Sequence, residues 1–136
     1  MFYFNEGTLD ISSEWQDRSI ILLSHPSQLN ISISRDELPL GMTFSEFAED
    51  QFKMVSRQLK GYEEIHRKPI KVDGYDAVMS EFKWDSPEGR LHQISTVINL
   101  PIHPTIITVS SHKPLTEGQK EYLLKLVQSF KARNVK

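Results

Sequence analysis

The chain contains no cysteine, which excludes a disulfide framework, a thiolate metal site and a lipid anchor on a cysteine side chain. It has no apolar run long enough to cross a bilayer, and Met1–Glu6 has neither the basic segment nor the sustained apolar stretch of a signal peptide. We therefore expect a cytoplasmic protein that does not itself insert into a membrane.

A strong charge of one sign is also missing, because 16 basic and 18 acidic residues give a formal net charge of −2. The densest basic cluster, His66–Lys71, lies in a segment with the composition of an edge strand, where Lys and Arg protect against unwanted strand pairing. Nucleic-acid-binding domains usually combine a basic stripe with stacking aromatic residues. We expect no nucleic-acid partner.

The motifs of the common enzyme classes are absent. There is no G-x-S-x-G elbow, Gly-rich phosphate loop or H-E-x-x-H pair, and the five histidines have no metal-ligand spacing. Glu81 and Asp85 lie on adjacent segments, but a strand and a turn explain both without catalysis. The sequence therefore favours a protein that is not an enzyme and needs neither a cofactor nor a metal.

The residues that are present describe one soluble globular domain, with 136 residues, 38% hydrophobic and 25% charged. A central stretch predicts an antiparallel meander of three strands rich in β-branched and aromatic residues, namely Tyr75–Trp84, Leu91–Leu100 and Thr105–His112. The Gly and Pro residues of this stretch fall in the two turns between the strands.

Other strands are predicted on the N-terminal side of the meander: a hairpin of Phe2–Phe4 with Thr8–Ile11, then Ser19–Leu23, Leu29–Arg35 and a charged edge strand Glu63–Val72 that turns at Asp73-Gly74. Between the hairpin and the next strand, Trp15 is expected to pack against the core.

Two helices begin at capping boxes. Thr43 and Glu46 start the first helix, which is predicted to run to about Lys60 and to end at Gly61. Thr116 and Gln119 start the second, whose buried side is predicted to be Tyr122, Leu123, Leu126, Val127 and Phe130. The fold class is therefore α+β, with an antiparallel, curved β-sheet of about six to seven strands and two main helices.

Several strands are apolar on both faces, which two helices are not expected to cover completely. The strand around Ile20 and Leu22 and the meander strand around Gln93 are examples. Either the second helix or a dimer partner buries the second face, or that face is a groove for an apolar helix. In a groove, the glutamine amides would meet polar groups of the bound helix.

A series of short motifs resembles one family along nearly the whole chain, from about Phe4 to Phe130. The motifs are Trp15-Gln16-Asp17-Arg18-Ser19-Ile20, Ser34-Arg35-Asp36, Phe47 with Gln51, Asp73-Gly74 with Ala77-Val78, Phe82-Lys83-Trp84 and His92-Gln93. Their order is similar to that of the effector-associated (Eag-type) chaperones of bacterial type VI secretion, in the DcrB branch of the PsbP-like fold. The resemblance implies a single PsbP-like domain over residues 1–136.

The resemblance also implies a function: a cytoplasmic adaptor, usually a homodimer, that shields the N-terminal transmembrane segments of a secreted toxin effector of PAAR or Rhs type and delivers it to the secretion spike. The family's client groove lies on the concave sheet face and the adjoining helix. The matching positions here are Ile20, Leu22, Ser32, Ser34, Gln51, Val55, Leu59 and Gln93. Ser32 and Ser34 stand where an aliphatic residue would suit an apolar wall better.

Two other interpretations stay open. The first is a non-catalytic assembly or binding subunit of the same fold that recognises a folded protein partner through a surface loop, either His25–Leu29 or Leu100–Pro104. Transmembrane peptides would compete with the client of a chaperone but not with such a partner. The second is an enzyme, for which the sequence offers only scattered polar residues.

Overall fold

The computed structural model describes residues 1–133 and, at Phe4, the backbone alone. In chain order the elements are β1 (Phe2–Phe4), β2 (Gly7–Leu9), β3 (Ile21–Ser24), β4 (Leu29–Arg35), α1 (Phe44–Gln58), β5 (Glu63–Val72), β6 (Tyr75–Ser86), β7 (Gly89–Ile98), β8 (Thr105–Ser111) and α2 (Glu117–Gln128). The last three residues of the expected domain lie outside the described part.

Six of the strands form one antiparallel sheet in the order β3-β4-β8-β7-β6-β5, and β1 pairs with β2 in a separate hairpin. The predicted α+β class is confirmed. Strand β3 begins two residues later than predicted, and β7 begins at Gly89 because a two-residue turn, Pro87-Glu88, replaces the longer predicted loop. Asp73 and Gly74 both have positive φ, which suits the tight turn between β5 and β6.

Both predicted capping boxes are formed. The Glu46 amide donates to the Thr43 hydroxyl, the Gln119 amide donates to the Thr116 hydroxyl, and each side chain at the third position accepts from the cap amide. Helix α1 ends at Gln58, two residues before the predicted end, and its cap Leu59 is extended.

The two helices cover opposite faces of the sheet, which we name the α1 face and the α2 face. On the α2 face, Leu123 and Val127 of α2 pack on aliphatic residues of every strand from β4 to β5, for example Val109, Ile94 and Ile98. On the α1 face, Phe47, Ala48 and Phe52 pack on Val97 and reach Ile106 of β8. Within residues 1–133, β3 contributes to none of these packed clusters.

Two predictions about burial are wrong. Trp15 does not pack against the core, since 72% of its surface is exposed, and Tyr122 of α2 is also mostly exposed. Tyr122 occupies an apolar helical position, but it lies beside Leu23 of the edge strand β3, where the sheet ends and offers little to cover it.

Gly61, just after α1, has a φ of +66°, and a Cβ built there would lie 2.2 Å from Asp85 Oδ2. Gly61→Ala is therefore expected to lower the free energy of unfolding by about 1–2 kcal/mol, because a strained backbone and a displaced Asp85 both cost energy. Gly118, in the first turn of α2, has free space around it. Gly118→Ala is expected to raise stability by about 0.5–1 kcal/mol. Urea unfolding of both variants measures these opposite changes in stability. A change of the same sign in both variants would contradict the different surroundings of the two glycines.

Candidate functional site

The eight residues that the resemblance points to lie around the α1 face of the sheet. Gln51, Val55, Leu59 and Gln93 line one cavity of about 170 Å³ at the edge of α1. Leu22, Ser32 and Thr108 are paired in one row across the sheet, and Thr108 reaches this cavity. Ile20 precedes β3 and, with Ser34, lines a neighbouring depression of about 620 Å³.

Helix α1 lies over one half of this face because contacts hold it toward β5. The guanidinium carbon of Arg67 in β5 is 4.5 Å from the centre of the Phe52 ring, and Arg67 Nη1 donates to Glu49 Oε1 over 2.8 Å. The packed cluster under α1 ends at Ile106 and includes no residue of β4 or β3 in the described part of the chain. Helix α1 therefore leaves the α1 face open over β4 and β3 and over the Thr108–Ser110 part of β8.

The dimensions of this open groove suit one helix. The axes of the outer two of these three strands lie about 10 Å apart, since neighbouring strands are spaced by about 4.8 Å, and a helix with its side chains is about 10–12 Å across. The seven residues of β4 extend about 23 Å, the length of about 15 helical residues.

The walls of the groove are apolar. On one side, Val55 and Leu59 are half-buried at the free edge of α1, above Phe82. On the other side, Leu22 of β3 has 75% of its surface exposed. Such aliphatic side chains, left partly in water on both sides of a cleft, favour an apolar occupant.

The floor of the groove is made of small hydroxyl residues, and the sequence interpretation missed most of them. Ser32 pairs with Thr108, which pairs with Ser95, and the Ser95 and Thr108 hydroxyls lie 3.0 Å apart. Ser34 and Ser110 extend this hydroxyl floor along β4 and β8. The signal was present in β8, where Thr108 and Ser110 alternate with the buried Ile107 and Val109.

Gln93 is already engaged within the chain. Its Oε1 accepts from the Trp84 indole N–H over 2.6 Å, and its Nε2 donates to Ser110 Oγ over 2.5 Å. These two bonds fix the orientation of the amide and leave the Ser110 hydroxyl proton for another acceptor. The Gln93 amide, which the sequence predicts would meet polar groups of a bound helix, therefore already makes two hydrogen bonds within the chain.

Gln51 is held at the other end of the groove. Its Nε2 donates to Asp36 Oδ2 over 3.3 Å. The adjoining depression is lined by side chains of both signs, among them Asp17, Arg18, Arg35, Asp36 and His103. This end of the groove is polar, while the middle is apolar with a hydroxyl floor.

A buried ionic cluster lies on the opposite, α2 face. Glu81, only 2% exposed, accepts from His92 Nε2 over 2.7 Å and lies 2.9 Å from Lys120 Nζ. His92 Nδ1 accepts from the Leu115 amide over 2.8 Å. Both ring nitrogens are thus occupied, so His92 is not poised as a general base. The cluster fastens the start of α2 to the sheet.

Burial alone would raise the pKa of Glu81, but hydrogen bonds from Lys120 and His92 outweigh it and hold that pKa below its ordinary value. The hydrogen bond to Glu81 likewise raises the pKa of Lys120. Both groups are charged at neutral pH.

None of the helices in residues 1–133 is long and apolar enough to span a bilayer.

The comparisons with known proteins agree with this architecture. A family model described as DcrB matches residues 6–129. A protein named Effector EagT6, from Pseudomonas aeruginosa, is 28% identical over 95 residues, which cover 66% of this chain and 65% of that protein. The match therefore spans slightly less than two thirds of that relative.

Two solved structures share the fold. Protein PA94 from Pseudomonas aeruginosa, of unknown function and described as a putative regulator, has a TM-score of 0.80 at 22% identity, covering 98% of this chain and 96% of that one. CyanoP, the cyanobacterial PsbP of Synechocystis sp. PCC 6803, has a TM-score of 0.56 at 13% identity, covering 89% and 75%. These matches confirm the resemblance to DcrB-like, Eag-type proteins of PsbP-like fold, and the chain is a member of the DcrB family.

Proposed function

We propose that this protein is a cytoplasmic chaperone that binds the N-terminal transmembrane segments of a type VI secretion effector in the open groove of its α1 face. It holds a client of PAAR or Rhs type in soluble form, as a homodimer, until the client is loaded on the secretion spike. The family membership and the likeness to Effector EagT6 support the class of protein.

The observation that carries the proposal is the groove of helix width with aliphatic walls and a hydroxyl floor. A transmembrane segment of about 20 apolar residues exposed in water aggregates. The walls around Val55 and Leu22 would replace water around such a segment. The groove length of about 15 helical residues covers roughly three quarters of a membrane span.

The hydroxyl floor supports a membrane helix as the occupant of the groove. Small residues let two backbones approach closely, and Ser and Thr hydroxyls hydrogen-bond across membrane helix pairs. Ser32, Thr108 and Ser110 offer the same two features to a client helix. Holding a client in this way is equilibrium binding and needs no nucleotide.

The test is an affinity pull-down of the tagged protein from its native bacterium under secretion-active conditions, with mass spectrometry of the captured proteins. We expect one large protein with N-terminal hydrophobic segments, whose capture is lost when those segments are deleted. A synthetic 20-residue Leu/Ala transmembrane peptide is expected to displace it.

Capture of folded soluble partners that the peptide does not displace would overturn the proposal. That result would favour an assembly subunit that binds through a surface loop such as Leu100–Pro104, in which Ile102 is exposed.

A further inference from the structure

Arg67 of β5 contacts α1 on the side away from the groove. Its Nη1 donates to Glu49 Oε1 over 2.8 Å, and its guanidinium carbon lies 4.5 Å from the centre of the Phe52 ring. Within residues 1–133, this is the only ion pair between a side chain of α1 and a strand of the six-stranded sheet. The other contacts, through Phe47 and Ala48, are apolar and non-directional. The Arg67–Glu49 pair therefore supplies the directional restraint on where α1 lies across the sheet.

A bulge in β5 places a second partner of Arg67 on the same face. Residues three apart on a regular strand point to opposite faces, but the register shifts between Glu64 and His66, so Glu64 and Arg67 both lie on the α1 face. Glu64 Oε2 accepts from Arg67 Nη2 over 2.8 Å and also from the hydroxyls of Tyr62 and Ser80. The sheet thus fixes the guanidinium before it reaches α1, which is a known use of a bulge.

A different polar contact restrains α1 on the groove side. Gln51 Nε2 donates to Asp36 Oδ2 over 3.3 Å, and Asp36 directly follows β4. Glu49 and Gln51 are two residues apart in the first half of α1, so the two contacts restrain that half from opposite sides. The other end of the helix is fixed separately, since the Lys60 carbonyl accepts from the Asp85 amide over 2.7 Å. Loss of the contact on the β5 side would leave the first half of α1 free to turn toward β4.

We infer that Arg67 is a positioning residue for client binding, which acts through Glu49 to hold α1 toward β5 and keep the groove open. The groove lies on the other side of α1, where Val55 and Leu59 are half-buried and Leu22 is exposed across the gap. Apolar walls that face water favour closure, because bringing them together removes apolar surface from water. The effect on the client rests on the proposed function, whereas the position of α1 can be measured without a client.

The chain has no cysteine, so spin labels can be attached through Ser45→Cys in α1 and Lys71→Cys in β5, both at exposed positions. In Arg67→Met, we expect the distance between the labels to lengthen by about 4.8 Å, the spacing of one strand. Glu49→Gln should lengthen it in the same direction. Because the Glu49 side chain is 58% exposed, this variant keeps the test valid if Arg67→Met fails to fold. Asp50→Asn, the next residue along α1 and also exposed, is the matched control and should leave the distance unchanged.

Binding of a synthetic 20-residue Leu/Ala transmembrane peptide supplies the functional readout. Arg67→Met is expected to weaken this binding at least tenfold and Glu49→Gln to weaken it in the same direction, while Asp50→Asn binds like the wild type. An unchanged label distance in Glu49→Gln, or a longer distance with unchanged peptide binding, would overturn the inference. If the wild type bound no peptide but the distance still lengthened in the variants, the proposed function would fail and the role of Arg67 in placing α1 would stand.

Discussion

Glu81→Gln is expected to lower the free energy of unfolding by about 3 kcal/mol at pH 7, the order found when one partner of a buried ion pair is removed. The carboxylate accepts from both Lys120 and His92, and it is almost completely buried. Lys120 and His92 both contact Oε2 of this carboxylate, and its Oε1 lies 3.1 Å from His66 Nε2. A glutamine can place its one oxygen at the Oε2 position, but it removes the charge that pairs with Lys120 and turns its N–H groups toward His66. Because His92 also accepts from the Leu115 amide, the loss spreads to the start of α2.

This destabilisation should depend on pH. The pKa of Glu81 in the folded state lies below its ordinary value, so its contribution to stability is present above the unfolded pKa of about 4.3. The contribution is lost as the pH falls through the lower, folded pKa. The difference in stability between wild type and Glu81→Gln is therefore largest near neutral pH and shrinks as the pH falls below about 4.

Urea unfolding of both proteins at pH 7 and at pH 3.5 measures this difference. Glu117→Gln is the control, since Glu117 also contacts Lys120 but has 89% of its side chain exposed, and it should change stability by less than about 0.5 kcal/mol. A Glu81→Gln variant that matched the wild type at pH 7, or whose deficit persisted unchanged at acid pH, would contradict the role given to the ion pair.

The elements that sequence analysis located correctly are those with local signals. Strand β4 was predicted to the residue because its alternation of Ile31, Ser32 and Ile33 is bounded by turns, and both helices start at capping boxes that involve contacts three residues apart. Burial at Trp15 and Tyr122 was predicted wrongly because it depends on what lies opposite in space. An aromatic residue at an apolar helical position stays exposed where the sheet ends.

The candidate site likewise contains residues that a local sequence pattern places and contacts that depend on the tertiary structure. The resemblance and the period of two placed Leu22, Ser32 and Gln93 on one face, which the strand pairing bears out. The bonds of Gln93 to Trp84 and Ser110 could not be predicted, since each crosses to another strand and depends on the register of the meander. The same register brings Ser95 and Thr108 together, so the hydroxyl floor emerges only when three strands are aligned.

Val55→Asp is expected to weaken client retention at least 100-fold while the protein stays folded. Val55 lies half-buried at the free edge of α1, facing the groove. A carboxylate there would be pressed against an apolar client helix, and desolvating an unpaired charge costs several kcal/mol, whereas 100-fold corresponds to only about 2.7 kcal/mol. Binding of the client's N-terminal region in a soluble co-expression assay measures the effect.

Met54→Asp is the matched control, because Met54 is the neighbouring residue on the outer side of α1 and remains half-exposed. Both variants bear the same cost of aspartate inside a helix, so a difference in client retention reports the groove alone. Leu22→Asp, on the opposite wall, should show the same loss. If Val55→Asp retained the client as well as Met54→Asp does, the client would have to bind elsewhere, and the open α1 face would not be the client site.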